Sequence, residues 1–269
     1  MKTAVLYGRV SSKDQEREGY SISKPTSGYP GVHNRKPCTG LQIFAAAKRK
    51  FNANSGKKDD RAGFSLLKQA ARIGCIEAHE WLGYVYDYGY GTNPNRRLAF
   101  RHYLIAARAG NPNAEYHIGV FYHEGIGVPK NYRIAISWFR KAAEHGDLTA
   151  LHAIGKAYRY GWGVRRNVKK GFALEMRAAR RGEREAQHSV GVCFSRGEGV
   201  SYSPKRAFQW FVRAAKNGIR DAQYNVGYFY ENGKGVTKNS RQALKWYTLA
   251  AKNGDSDAKH AIKRTRDSA

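Results

Sequence analysis

A step of 36 residues governs this chain. Glycine follows an aliphatic residue at Gly83, Gly119, Gly155, Gly191 and Gly227, and Gly-x-Gly pairs keep the same step at Gly89/Gly91, Gly125/Gly127, Gly161/Gly163, Gly197/Gly199 and Gly233/Gly235. Ala-Ala pairs do likewise at Ala106/Ala107, Ala142/Ala143, Ala178/Ala179, Ala214/Ala215 and Ala250/Ala251, each followed three residues later by a glycine. No insertion or deletion breaks the register across residues 75–254. A period of this length marks a repeat architecture, in which each unit buries its apolar face only by stacking on the next.

Each unit reads as two antiparallel helices. In the first, helix A runs near Ala78 to Tyr88, with Ala78, Leu82, Val85 and Tyr86 on one face. The Gly-x-Gly pair ends it, because glycine enters the left-handed region without a Cβ penalty. Asn95, Asn131, Asn167, Ser203 and Asn239 stand where helix B begins, and all five are good N-cap residues. Helix B then presents Ala99, His102, Tyr103 and Ala106, or in the next unit Ala135, Trp138, Phe139 and Ala142, as a stripe facing a core. Carried backwards, the register makes Asp59 to Arg72 a lone helix B; carried forwards, it makes Ser256 to Arg264 a final helix A.

These residues resemble the Sel-one-like repeat family, a tetratricopeptide-related group with the pattern A-x-x-x-L-G-x-x-Y-x-x-G-x-G-V and then A-x-x-W-x-x-x-A-A-x-x-G. One unit shows it with Ala222, Val226, Gly227, Tyr230, Gly233, Gly235, Val236, Ala243, Trp246, Ala250, Ala251 and Gly254. Departures are Gly171 for the helix B alanine, Leu174 for the tryptophan and Thr92 for the loop valine. The resemblance implies an all-α fold, a right-handed α/α superhelix (solenoid) of antiparallel helix pairs, here with an irregular N-terminal segment. It also implies a non-enzymatic scaffold or adaptor that binds other proteins. The expected organisation is a fragment over 1–24, a basic linker over 25–58 and a solenoid over 59–269. Within the solenoid we expect a half repeat 59–74, full repeats 75–110, 111–146, 147–182, 183–218 and 219–254, and a capping helix 255–269.

Comparison of the units with one another separates positions that packing holds constant from positions left free for recognition. On helix A the variable offsets are Glu80, Tyr116, His152, His188, Tyr224; Tyr84, Val120, Lys156, Val192, Tyr228; and Asp87, His123, Arg159, Ser195, Glu231. If helix A lines the inner curve, these form three ladders across it. Aromatic, histidine and long basic side chains suit partner anchoring, which makes Glu80, Tyr84, Tyr116, His123, His152, Lys156, Arg159, His188, Tyr224 and Tyr228 the candidate partner-binding residues. His152 and His188 lack a third ligand, so no metal site is expected, and no cofactor is expected either.

The first residues read differently. Met1 to Ile22 resembles the start of resolvase/invertase-type serine recombinases, where Arg-Val-Ser, here Arg9-Val10-Ser11, ends the first strand. By that resemblance Ser11 would attack a DNA phosphate and Arg9 would stabilise charge on it, although Gly8 departs from the pattern. The likeness stops near Ile22, and transition-state stabilisation needs a preorganised shell that the rest of the chain does not supply. Residues 1–24 are therefore expected to be a relic of gene fusion, or a mispredicted start, and not a working active site. Ser21-x-x-Lys24 and Ser65-x-x-Lys68 match a β-lactamase motif without its companions; chance explains both.

Charge narrows the partner. The chain carries 48 Lys+Arg against 21 Asp+Glu, a formal net charge of +27, which favours an acidic partner but does not choose between nucleic acid, anionic lipid and an acidic protein. With the repeat resemblance the expectation is an acidic protein or peptide on the helix A face, with nucleic acid as the alternative. Residues 19–58 contain no Asp or Glu and eight basic residues. Within them, Leu41 to Phe51 can form a helix with Ile43, Phe44 and Ala47 on one side, against the simpler reading of a flexible linker. No apolar run reaches the roughly 18 to 20 residues of a membrane span. The three cysteines, Cys38, Cys75 and Cys193, form no close pair, so a reducing, cytoplasmic setting is expected. Oligomeric state is left open.

Overall fold

The computed structural model describes residues 39–52 and 57–267. Ser11, Arg9 and the rest of the recombinase-like fragment lie outside the described residues, as does residues 25–38 of the expected linker. Among the described residues there are thirteen helices and no strand: α1 Thr39–Asn52, α2 Lys57–Arg72, α3 Ile76–Tyr88, α4 Arg96–Arg108, α5 Pro112–Glu124, α6 Tyr132–Glu144, α7 Leu148–Tyr160, α8 Val168–Arg180, α9 Arg184–Arg196, α10 Pro204–Lys216, α11 Arg220–Asn232, α12 Ser240–Lys252 and α13 Ser256–Asp267. Each helix packs on the next in chain order. The result is the right-handed α/α superhelix, with A helices α3, α5, α7, α9 and α11 alternating with B helices α4, α6, α8, α10 and α12. Beyond sequential neighbours, α3 approaches α5 and α7 approaches α9, so the A helices occupy the inside of the stack.

All five expected N-caps act as caps. Asn95, Asn167 and Asn239 accept from the amides of Leu98, Lys170 and Gln242 at 3.0, 2.9 and 2.9 Å. Asn131 accepts from Arg133 and Ile134, both at 3.1 Å, and Ser203 accepts from Arg206 at 3.4 Å. Each satisfies amides that the first helical turn cannot.

The second loop glycine joins one unit to the one before it. At Gly235, where φ is +66°, a Cβ would stand 2.4 Å from the backbone carbonyl carbon of Pro204 at the start of α10. Gly163 and Gly199 meet the first turns of α6 and α8 in the same way. The positive φ and the close backbone approach together leave no other residue type unstrained there.

The helix A glycine does a different job. A Cβ on Gly83, Gly119, Gly191 or Gly227 would collide with the ring of Tyr103, Phe139, Phe211 or Tyr247 at 2.4–2.7 Å. These rings are 0–4% exposed, and each fills the space a bare helix A backbone leaves.

The linker boundary is corrected at one place. Residues 39–52 are helical, and Phe44 and Ala47 of α1 are buried against Leu67, Ala70, Ala78 and Trp81. Helix α2 is therefore not alone: α1 acts as its helix A. The same device holds them, since a Cβ on Gly63 of α2 would meet the Phe51 ring at 2.6 Å. At the other end, α13 closes the stack by burying Ala258 and Ala261 against Tyr247 and Ala250.

Candidate partner-binding face

The variable side chains of the A helices are put to different uses. Tyr84 stacks on Tyr90 with centroids 5.5 Å apart and packs on Tyr88 at 4.7 Å. Tyr116 lies on Phe139. His188 lies on Phe211, its Nε2 within 3.0 Å of Asn225. Tyr224 packs on Tyr247. Tyr228 accepts from Lys234 Nζ at 3.0 Å. Glu80 is half-buried, and loss of water pushes its carboxyl up to about 7 against the pull of Lys48.

Two of the ten candidates are not at the surface. His152 is 7% exposed and Arg159 is 5% exposed. The cause lies on helix B of the same unit: where the other units place Tyr103, Phe139, Phe211 and Tyr247, this one places Glu175, which is fully buried. Arg159 Nη1 donates to Glu175 Oε2 at 2.9 Å and to Cys193 Sγ at 2.9 Å. His152 Nδ1 stands 3.8 Å from Glu175 Oε1. Burial pushes the Cys193 thiol up to about 12 and the imidazole of His152 down to about 3, the latter helped by the charges of Lys156 and Arg159. Both stay neutral beside the ion pair. Glu231, from the third ladder, is also structural: it accepts from Tyr247 Oη at 2.7 Å and from Arg264 Nη2 at 2.8 Å, which fastens α13.

At the loop end of the A helices the structure assembles aromatic groups that ladder reasoning missed. Trp162, between Gly161 and Gly163, stacks on Tyr160 at 4.9 Å and lies parallel to Tyr132 at 6.2 Å. His123 meets both Tyr132 and Trp162 edge-on at 5.0 and 4.9 Å. Lys130 sits over the Tyr132 ring at 5.0 Å and Lys156 over Trp162 at 6.0 Å. Arg159 also donates to the Tyr160 hydroxyl and covers its ring at 4.8 Å, so the buried ion pair props the rim from below. Tyr84, Tyr88 and Tyr90 form a second such group two units away. Tyr88 and Tyr160 are 43% and 46% exposed. The signal was present in the offset Tyr90, Ile126, Trp162, Glu198, Lys234, which lies past the helix and outside the ladders.

Charge is divided between the two helix types. The five B helices carry 18 Lys and Arg against two acidic residues, Glu144 and Glu175. The five A helices carry five Lys and Arg against eight Asp and Glu. The acidic partner expected along the whole helix A face is thus not matched by the charge there. Among the described residues, the rim beside Lys130 and Lys156 groups several aromatic rings with basic side chains, and a smaller pairing of Lys234 with Tyr228 lies on α11.

A stack of near-identical antiparallel helix pairs, each packed on the next, defines a helical repeat protein. The chain belongs to the Sel1 repeat family: the family profile matches residues 50–75, 76–111, 112–147, 148–183, 184–219 and 220–255 in succession. Sel1 repeat proteins are in general protein-interaction scaffolds and typically non-catalytic. Among solved structures, the chain is similar to a Sel1 repeat protein from Oxalobacter formigenes, with 30% identity, a TM-score of 0.70, and coverage of 82% of this chain and 86% of that one. It is equally similar to c5321, a protective antigen of uropathogenic Escherichia coli strains with an SLR fold, at 30% identity and a TM-score of 0.70. That match covers 83% of this chain and 48% of the antigen, so this chain spans about half of its length. The immunity protein Pa5087 of Pseudomonas aeruginosa, at 18% identity and a TM-score of 0.57, shares the fold. A comparison with curated proteins returned no match. Among the described residues no helix is long and apolar enough to cross a membrane.

Proposed function

We propose that the protein is a non-enzymatic scaffold that holds a segment of another protein along its A helices, anchored at the loop-end rim of Tyr132, Tyr160 and Trp162. The observation that carries this reading is the grouping of three large rings with Lys130 and Lys156 on an otherwise mixed-charge face. Aromatic groups with an adjacent cation anchor a partner through apolar contact at one point and a charge-assisted bond beside it. The segment that fits carries an apolar or aromatic side chain next to an acidic one. The rest of the inner side supplies His123, Tyr84, Tyr88 and Tyr90 for a second contact two units away. The buried free thiol of Cys193 suits a reducing interior.

The test is affinity capture with the full chain, followed by mass spectrometry, against the same chain carrying Tyr160→Ala and Trp162→Ala. A defined partner retained by the native chain and lost from the variant supports the reading. Equal recovery by both sinks it.

A further inference from the structure

The outer side of the stack carries a feature that protein scaffolding on the inner side leaves unexplained. At one offset near the start of each B helix stand Arg97, Arg133, Lys169, Lys205 and Arg241, five basic residues in five units. All five side chains are exposed. Among the described residues none of them takes part in an ion pair or sits over an aromatic ring. The identity alternates between arginine and lysine while the charge does not change, so what the units hold in common is charge and not shape.

The fold gives no reason for this. A cation in the first turn of a helix opposes the helix dipole, which favours Asp or Glu there, and none of the five B helices has an acidic residue in its first turn. A second row at the opposite end of these helices, Arg108, Arg180, Lys216 and Lys252, is exposed as well, although the dipole favours cations at that end. Together the rows account for half of the 18 basic residues on the B helices. The neighbours of the first row in the later units, Lys170, Arg206 and Gln242, offer charge and hydrogen bonds and no apolar pocket.

We infer that the B-helix face is a track for a single-stranded nucleic acid, held by its phosphates. Duplex DNA is stiff over roughly 150 base pairs. A single strand bends freely and carries one charge on every nucleotide, and it can follow the row from unit to unit. Sequence preference is not expected, because the row faces backbone phosphate and offers no reading of base edges.

The test is fluorescence anisotropy of a labelled 40-nucleotide oligo-dT with the full chain, titrated at several salt concentrations. Each phosphate contact contributes roughly −0.7 to the slope of log affinity against log salt for single strands. We expect the triple variant Arg133→Gln, Lys169→Gln, Lys205→Gln to lower affinity at least tenfold at 0.1 M salt and to flatten the slope by about 2. A matched triple on α13, Lys259→Gln, Lys263→Gln, Arg266→Gln, removes the same charge away from the row and should leave the slope nearly unchanged. The inference is overturned if both triples act alike, if no binding occurs at low salt, or if the row is needed only for phosphatidylglycerol vesicles or for poly-glutamate.

Discussion

Arg159 reaches across from α7 to bond Glu175 of α8 at 2.9 Å, and Glu175 occupies the place beneath Gly155 that an aromatic ring takes in the other four full units. The substitution changes the spacing of the hairpin. A Cβ on Gly155 would meet backbone atoms of Glu175 and Gly171 at 3.1 Å, whereas at Gly83, Gly119, Gly191 and Gly227 the nearest atoms all belong to rings. The Glu175 Cγ methylene stands nearest, at 2.6 Å, and with no Cβ on either Gly155 or Gly171 the two helix backbones come together.

Breaking this pair from one side should be costly. Glu175→Leu leaves the buried Arg159 guanidinium with only the partly exposed Glu198, 3.5 Å from its Nε, as counter-charge, and we expect a loss of about 3 kcal/mol in urea unfolding. Combining it with Arg159→Met should recover most of that loss, since an apolar pair of similar volume is commonly neutral or better. Near-equal stability of the single variant and the native chain would show that the pair does not hold the hairpin.

Gly171 should resist replacement by the residue found at its offset everywhere else. Ala99, Ala135, Ala207 and Ala243 are all fully buried, yet a Cβ at Gly171 would lie 2.7 Å from the carbonyl oxygen of Gly155 and 2.9 Å from the amide of Arg159. Neither backbone atom can step aside alone. Alanine gains about 1 kcal/mol in helix propensity, and overpacking costs about 1–3 kcal/mol. Gly171→Ala should lower the thermal midpoint, and a rise would contradict the close approach.

His152 gives the unit a specific dependence on pH. Its folded-state pKa is depressed to about 3 from 6.5, so the unfolded chain binds a proton that the folded chain refuses. The stability it contributes is complete above pH 6.5 and is lost progressively as pH falls towards 3. Glu80 and Glu183, raised to about 7 by burial, act with the opposite sign between 4.5 and 7, so the variant is compared with the native chain. His152→Phe should flatten the rise of unfolding free energy with pH below 6.5 by about 1.4 kcal/mol per pH unit. Parallel curves would refute the assignment.

The junction between units rests on the second loop glycine. Gly235→Ala combines a positive φ with a Cβ 2.4 Å from the Pro204 backbone, and we expect a loss of at least about 2 kcal/mol. Hydrogen exchange should quicken in α10 and α11 before it does in α5. Unchanged protection across the α10–α11 junction would argue against the contact.

Most of the fold was legible in the sequence because the glycines, N-caps and alanine pairs act locally and repeat without slippage; Asn95 and Gly89 need no tertiary context to be understood. Helix α1 was harder, since it lacks the Gly-x-Gly signature and its apolar face, Ile43, Phe44, Ala47 and Phe51, shows its purpose only against Leu67 and Trp81. The ladders suggest uniform recognition positions, but His152 and Arg159 are buried and Glu231 is tied to α13. That depends on a partner residue 16 or more positions away, in Glu175 for one end and Arg264 for the other. The rim at Trp162 escaped for a related reason: it arises where loops and helix ends of successive units converge, at offsets outside the helix A pattern.

Photocrosslinking from inside cells tests the binding face most directly. A benzoylphenylalanine placed at Tyr160 on the inner rim, or at Gln209 on the outer side of α10, is irradiated in the full-length protein and the adducts are identified. We expect one discrete protein adduct from position 160, weakened by Trp162→Ala, and none of that mass from position 209. A protein adduct from 209 alone, or the same adduct from both, would contradict an inner face that holds the partner.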